Sequence, residues 1–283
     1  MQLAAFIAQN PFLANFVNGK IHRGAAKQVC TPGLNCFSCP GAAFACPMGS
    51  AQAFFAAGGS GLGKIGFYII GFLLLVGMLF GRFICGYICP MGLIQDLIHK
   101  IPIKKLKLKL RWARYIKYVV LVLFVVVFPM LFLHELSGNG DPWFCKYICP
   151  SGTIFAAVPL MATNDALRDM ASWLFTWKVF VTFALLVTSA FIYRYFCRVL
   201  CPLGAVYSLF NKVAVMKMHC DKSKCRSAHS ANCSACAKVC PLGINPMEQP
   251  NSPECMRCGV CIRKCSAGAL YNTAFEVKIQ IPQ

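Results

Sequence analysis

Read only for its hydrophobic and polar positions, the chain divides into long apolar stretches, basic connectors and a polar, cysteine-rich tail. Three stretches, Ile65–Phe83, Tyr115–Leu133 and Leu174–Tyr195, are long and apolar enough to read as membrane-crossing helices, which need about 20 residues. A fourth, Leu3–Val17, is shorter and is interrupted by Asn10 and Pro11. A thin span, a re-entrant piece and an interfacial helix all suit it, and spanning is the expectation carried forward. None of the three long stretches contains Asp or Glu, so a self-contained ion or proton pump is not expected.

The connectors set the orientation. Lys100, Lys104, Lys105, Lys107, Lys109, Arg111, Arg114 and Lys117 make Lys100–Lys117 the densest basic segment of the chain, and such segments stay on the cytoplasmic side. The loop His134–Trp173 has only Lys146 and Arg168 against Glu135, Asp141, Asp165 and Asp169, so it is assigned outside. Everything after Tyr195 is then cytoplasmic, and Cys30–Cys46 falls outside.

Composition agrees with a membrane setting. The chain is 58% hydrophobic and 13% charged, where soluble domains are near a quarter charged. The net charge of +19 suggests nucleic acid in a soluble chain. Here the basic connectors account for it, membrane lipid is the expected partner, and nucleic acid is not. Lys104–Lys109 alternates Lys and Leu, which suits a segment lying on anionic lipid.

The 19 cysteines carry the chemistry. No cleavable leader is expected, and most cysteines lie two or three residues apart, a spacing that suits metal ligation better than loop-closing disulfides. Cys-Pro-x-Gly occurs five times, at Cys46–Gly49, Cys89–Gly92, Cys149–Gly152, Cys201–Gly204 and Cys240–Gly243. Three copies extend to aromatic-x-Cys-x3-Cys-Pro, as Phe83-Ile-Cys85 to Pro90, Trp143-Phe-Cys145 to Pro150 and Tyr195-Phe-Cys197 to Pro202. The two Cys-Pro-Met-Gly copies also share a glutamine three residues after the glycine, Gln52 and Gln95. A Cys-x3-Cys pair on one helical turn places both thiols on one face. Each unit offers two ligands, so a four-thiolate site needs two units. The orientation pairs Cys85 and Cys89 with Cys197 and Cys201 inside. Outside it gathers Cys145 and Cys149 with Cys30, Cys36, Cys39 and Cys46. The first choice there is Cys36, Cys39 and Cys46 with one or both of Cys145 and Cys149. Buried hydrophobic cysteines or, outside, disulfides are the plainer alternatives.

The tail holds Cys255-x2-Cys258-x2-Cys261-x3-Cys265, the bacterial ferredoxin run, whose fourth cysteine serves the other of two [4Fe–4S] clusters. Ser266 stands where the run usually has proline. Upstream, Cys233-x2-Cys236-x3-Cys240-Pro241 lacks its first cysteine, since Ser230 occupies that place. Cys225 is the expected replacement, with Cys220 as its substitute. The crossed assignment gives one cluster Cys225, Cys233, Cys236 and Cys265, and the other Cys240, Cys255, Cys258 and Cys261. Paired zinc sites are the rival, but zinc ribbons show separate Cys-x2-Cys knuckles.

At these residues the chain resembles the membrane polyferredoxins of the NapH and NosR type. The resemblance runs from about Pro32 to Tyr271. It rests on Leu34-Asn-Cys36-Phe-Ser-Cys39-Pro40-Gly41, Gly81-Arg82-Phe-Ile-Cys85-Gly86-Tyr-Ile-Cys89-Pro90, Phe196-Cys197-Arg198-Val-Leu-Cys201-Pro202-Leu-Gly204 and the ferredoxin runs. It implies an electron conduit between cytosolic or membrane donors and redox partners on the other face. A flavin (FMN) protein or a cytosolic ferredoxin is the implied partner. The third extended unit at Cys145–Pro150, the Cys30–Cys46 group and the lack of a flavin domain depart from that pattern.

Other features are set aside. Gly58–Lys64 imitates a phosphate loop but is followed by Ile65 rather than Ser or Thr. Haem would want histidines within spans, and only His134 lies near one. His22, His99, His219 and His229 read as solvated or interfacial.

The expectation is a mostly α membrane protein with three clear spans, a short fourth at the N-terminus, and a small α+β two-cluster ferredoxin domain. Its parts are residues 1–64, a transmembrane domain at 65–212, and the ferredoxin domain at 213–283. The expected cofactors are two [4Fe–4S] clusters in the tail and one or two more at the membrane cysteines. The expected role is an electron-transfer subunit in a bacterial or archaeal cytoplasmic membrane rather than a stand-alone enzyme. Alternatives are a copper reductase or assembly factor, since soft thiolates favour Cu(I), and a thiol or cluster redox sensor.

Overall fold

The Cys-Pro repeat is also the unit of local structure. A computed structural model describes residues 1–57, 64–106, 112–132, 140–169, 172–228, 234–274 and 277–279. In it, four of the five Cys-Pro-x-Gly copies open a helix: Pro47–Ala56, Pro90–His99, Pro150–Thr163 and Pro202–Phe210. Proline suits the first helical position because its missing N–H has no partner there, and its φ is already helical. The same proline drives the residue before it out of the α region. Cys46, Cys89, Cys149 and Cys201 accordingly sit in extended backbone as N-caps, with ψ of 123°, 121°, 110° and 115°. This corrects the reading of Cys-x3-Cys as one continuous helical turn. The first cysteine of each extended unit lies in a short helix (Phe83–Tyr87, Trp143–Tyr147 or Tyr195–Val199), and the second lies past a break. The fifth copy begins no helix. Cys240 is extended, Gly243 takes φ +68°, and the Gly243 amide donates back to the Cys240 carbonyl in a turn.

Among the described residues two helices are long and apolar enough to cross a membrane, Ala113–Leu131 and Trp173–Phe191. The helix Lys64–Phe80, in the first expected span, has 17 residues. Ala113–Leu131 widens to π-helical geometry over Leu121–Val127, just before Pro129. Thr153–Ala157 does the same before Pro159. Proline withholds a donor and clashes with the preceding turn, and a π-bulge accommodates both. The C-terminal end of Trp173–Phe191 meets the basic connector, where Lys105 Nζ donates to the His99, Ile101 and Ala190 carbonyls. The His99 and Ala190 carbonyls lie in the last turns of their helices, where intrahelical partners run out.

Leu3–Val17 is not one helix. Gln2–Gln9 ends at Asn10, and a separate turn follows at Asn15–Asn18. Eight residues at 1.5 Å each reach about 12 Å, far less than a bilayer. The first helix instead leans on the Cys85–Cys89 region, with Gln2 donating to the Gly86 carbonyl and to Asp96.

After Phe210 the chain forms a three-stranded antiparallel sheet, ordered β1 (Lys217–Cys220), β2 (Leu270–Ala274), β3 (Val277–Ile279). Lys217 pairs with Thr273 and Cys220 with Leu270, which closes the two ends of the tail on each other. Helices Lys222–Ala228, Ala235–Val239 and Val260–Arg263 lie between the strands in sequence. The Gly58–Gly63 run, His134, His229, Ser230 and Cys233 lie outside the described residues.

Candidate metal centres

Four groups of thiols result. In the tail, Cys240, Cys255, Cys258 and Cys261 line one pocket. Cys220, Cys225, Cys236 and Cys265 line another. These groupings follow the crossed pattern, with both candidates for the displaced ligand, Cys225 and Cys220, at the second pocket. Cys233 is outside the described residues.

The third group is Cys85, Cys89, Cys197 and Cys201, here called the proximal set, all buried. Burial first, then the neighbouring Cys197, Cys85 and Cys89, pushes the Cys201 thiol well up. Burial pushes Cys197 up to about 12, aided by Cys89 and Cys85. Metal binding to Cys197 and Cys201 therefore releases protons. The sulfurs receive directed donors. Gly204 N–H lies 3.4 Å from Cys201 Sγ, Leu34 N–H 3.4 Å from Cys89 Sγ, and Gln95 Nε2 3.1 Å from Cys197 Sγ. N-terminal helix amides also carry the positive end of the helix dipole.

Two arginines clamp this set by exchange. Arg82, three residues before Cys85, donates to the Cys197 carbonyl at 2.8 Å. Arg194, three residues before Cys197, donates to the Cys85 carbonyl. Arg194 holds a left-handed φ of 50°, which costs a non-glycine residue about 1–2 kcal/mol. Its bonds to Gly86 and Asp96 offset that strain. Arg82 also anchors the tail. Glu254 accepts from Arg82 Nη1 at 2.6 Å and from Lys117 Nζ at 2.6 Å, and both cationic side chains are fully buried. Burial acts to raise the Glu254 carboxyl, but Arg82 and Lys117 outweigh it and hold it below its ordinary value. Asn211 adds donors to the Ser252 and Cys255 carbonyls and accepts from the Arg82 amide. Gly81, at φ +52°, has room for no Cβ beside Asn211.

The fourth group, the distal set, is Cys36, Cys46, Cys145 and Cys149, which line a cavity of about 750 Å³ with Lys178. Cys39 and Cys30 do not line it. Cys39 is turned into an apolar cluster with Ala42 and Phe155, its thiol 3.4 Å from Asn10 Oδ1. Cys30 lies beside Ser50, and its amide bonds Tyr68. Of the expected outer ligands, the structure thus sets Cys36, Cys46, Cys145 and Cys149 around the cavity and Cys39 beside it. Spacing made it attractive, but the Asn35–Ala45 loop folds so that Cys36 faces Cys46.

A second correction concerns separation. The two membrane-domain sets are neighbours, not groups held at opposite faces. Leu34 donates to Cys89 Sγ, and its carbonyl accepts from Ser151, two residues past Cys149, at 3.2 Å. Fully buried Tyr207 has Cys85, Cys89, Cys201 and Cys46 around it, and its hydroxyl donates to the Pro32 carbonyl at 2.8 Å. Orientation rules place loops, but do not see that the Cys30–Cys46 segment folds into the helix assembly.

Among the described residues all cysteines are free thiols, and no three of His, Cys, Asp or Glu converge as they would on a single metal ion. In the distal set and in each tail pocket four thiols line a space rather than a point, which fits a polynuclear iron–sulfur cluster better than mononuclear zinc or copper.

Comparison with known proteins agrees. Residues 62–109 and 173–219 each match a 4Fe–4S binding domain. An uncharacterized protein of Methanocaldococcus jannaschii is 29% identical over 69% of this chain and 65% of its own length. The regulatory protein NosR of Pseudomonas aeruginosa is 29% identical over 65% of this chain and 24% of its own. The ferredoxin-type protein NapH of Escherichia coli is 27% identical over 65% of this chain and 59% of its own. The chain thus corresponds to less than two thirds of each of these relatives. No solved structure matches. The cysteine sets and these matches agree that the chain is similar to the 4Fe–4S binding proteins of the NapH and NosR type.

Proposed function

We propose that the chain relays electrons between a ferredoxin-like tail in the cytoplasm and the interior of the cytoplasmic membrane. The carrying observation is the continuity of the thiol sets. Cys236, Cys255 and Cys261 share one apolar cluster with Met218 and Leu270, and so join the two tail sets. Met256, between tail ligands, packs in the same core as Cys85, Cys89, Cys197 and Cys201. Cys225, Cys233, Cys236 and Cys265 would hold one cluster, Cys240, Cys255, Cys258 and Cys261 the second, and the proximal set a third. Such centres cycle by one electron, at potentials set by hydrogen bonding and solvent exposure. The protein's own part is to bury the sulfurs, aim N–H groups at them and lock the tail to the membrane domain through Glu254.

Exposed apolar side chains on the long helices, such as Leu131, Phe180 and Phe183, support a lipid environment. Trp112 and Trp173, exposed where those helices begin, suit the two membrane interfaces. A redox protein carrying flavin, or a soluble ferredoxin, is the partner class. Anaerobic purification with metal analysis and EPR tests the proposal. Bound iron whose absorbance bleaches with dithionite supports it, and zinc without iron overturns it.

A further inference from the structure

The domain matches cover the units at Cys85–Pro90 and Cys197–Pro202 and leave out those at Cys46 and Cys145–Pro150. Nothing therefore assigns the distal set. Its construction follows the proximal set part by part.

In the proximal set, one Cys-Pro helix begins at Pro90 and its partner at Pro202; in the distal set they begin at Pro47 and Pro150. In each, the N-cap cysteine lies in extended backbone. The partner unit supplies its first cysteine from a short helix, Cys197 in one set and Cys145 in the other. The glutamine of the first helix then crosses to that sulfur. Gln95 Nε2 lies 3.1 Å from Cys197 Sγ, and Gln52 Nε2 lies 3.1 Å from Cys145 Sγ. Both amides also bond the carbonyl of the methionine four residues back, at 3.3 and 3.2 Å. Gln52 Oε1 accepts from the Phe144 amide at 2.9 Å, which fixes which end of the side chain faces the sulfur. Both glutamines are fully buried.

The sets differ at two points. Where the repeat would place its first cysteine, four residues before Cys46, the chain has Ala42. Cys36 reaches the cavity instead. Where the proximal set has Arg82 and Arg194, the distal set has Lys178. A Cβ built on Gly152 would lie 3.8 Å from Lys178 Nζ and 3.9 Å from Cys36 Sγ, so the ammonium and that thiol border the same small gap.

We infer that Cys36, Cys46, Cys145 and Cys149 hold a further iron–sulfur cluster, built on the plan of the proximal site, and that Gln52 and Gln95 are equivalent positioning residues, each donating to one ligand sulfur. The inference rests on the electron-relay reading of the other three sets and extends the relay past Tyr207. An N–H···S bond stabilises the more negative, reduced cluster, so each glutamine raises the potential of its own site.

The test uses full-length protein purified anaerobically, with iron content and EPR-monitored redox titration as readouts. Cys149→Ala is expected to lose about four irons and one EPR component while the remaining components persist. Cys39→Ala is expected to lose none. Gln52→Leu should keep its full iron content and move one midpoint to a more negative value, and Gln95→Leu should move a different one. Full iron content with every EPR component in Cys149→Ala overturns the distal cluster. An unmoved set of midpoints in Gln52→Leu overturns the role of the glutamine, and that variant decides the matter should Cys149→Ala not fold. Wild-type protein without any iron would instead overturn the relay reading itself.

Discussion

Replacing Glu254 by glutamine gives a demanding test of how the tail is held. The carboxylate bonds two cations, Arg82 and Lys117, whose side chains are fully buried. Glutamine keeps the shape but removes the charge. Arg82 retains the Cys197 and Pro253 carbonyls. Lys117 keeps the Tyr118 ring beneath its ammonium, at 5.2 Å, and at best a neutral amide oxygen in place of the carboxylate. Losing one partner of a buried pair costs about 3–5 kcal/mol, because the remaining charge stays desolvated. At roughly 2–4 °C per kcal/mol for a chain of this class, Glu254→Gln should melt roughly 10 °C below wild type in detergent. The tail should also become the first region cleaved in limited proteolysis. Lys117→Met combined with Glu254→Gln removes the stranded ammonium and should recover part of the loss. A single variant melting within about 2 °C of wild type, or a double variant no more stable than the single, would refute this reasoning.

Other expectations follow from the same geometry. Cys85→Ser combined with Cys197→Ser should lose about four irons and leave the tail signals intact, as read by iron analysis and EPR. Cys225→Ser and Cys220→Ser should differ, with the true ligand identified by loss of a tail signal. Arg194→Ala should destabilise the protein by about 3 kcal/mol or more through loss of the Cys85, Gly86 and Asp96 bonds, measured by thermal melting. Glu254 is held below its ordinary pKa, so its contribution is complete above the unfolded carboxylate value and fades as pH falls through the folded one. The melting difference between wild type and Glu254→Gln should accordingly shrink in acid.

Much of this was legible from the chain, for physical reasons that can be named. The ferredoxin run constrains its ligands by spacing alone, and the pockets group its described cysteines as the crossed pattern does. The Cys-Pro units were legible because proline imposes both a helix start and a break before it. Membership of the distal set was not, because spacing cannot tell which way the Asn35–Ala45 loop turns, and so Cys39 looked as good as Cys36. The arginine exchange went unread, although its signal was present as an Arg three residues before both Cys85 and Cys197. The shared Gln52 and Gln95 were visible as a repeat, but their targets lie 93 and 102 residues away, beyond any local rule. Glu254 gave no sequence signal, since it is one of four scattered acidic residues in a basic tail.

The units pair alternately, first with third and second with fourth, and this bears on how the protein is made. No membrane-domain set is complete until the ribosome has passed a second unit. The distal thiols are all present once Cys149 has emerged, the proximal ones only after Cys201, and the tail sets only after Cys261 and Cys265. Because chains fold from the N-terminal side during synthesis, the sets become complete in that sequence, the distal set first and the tail sets last. A cluster-delivery machine would therefore meet the distal and proximal sets before the tail can dock against them through Glu254.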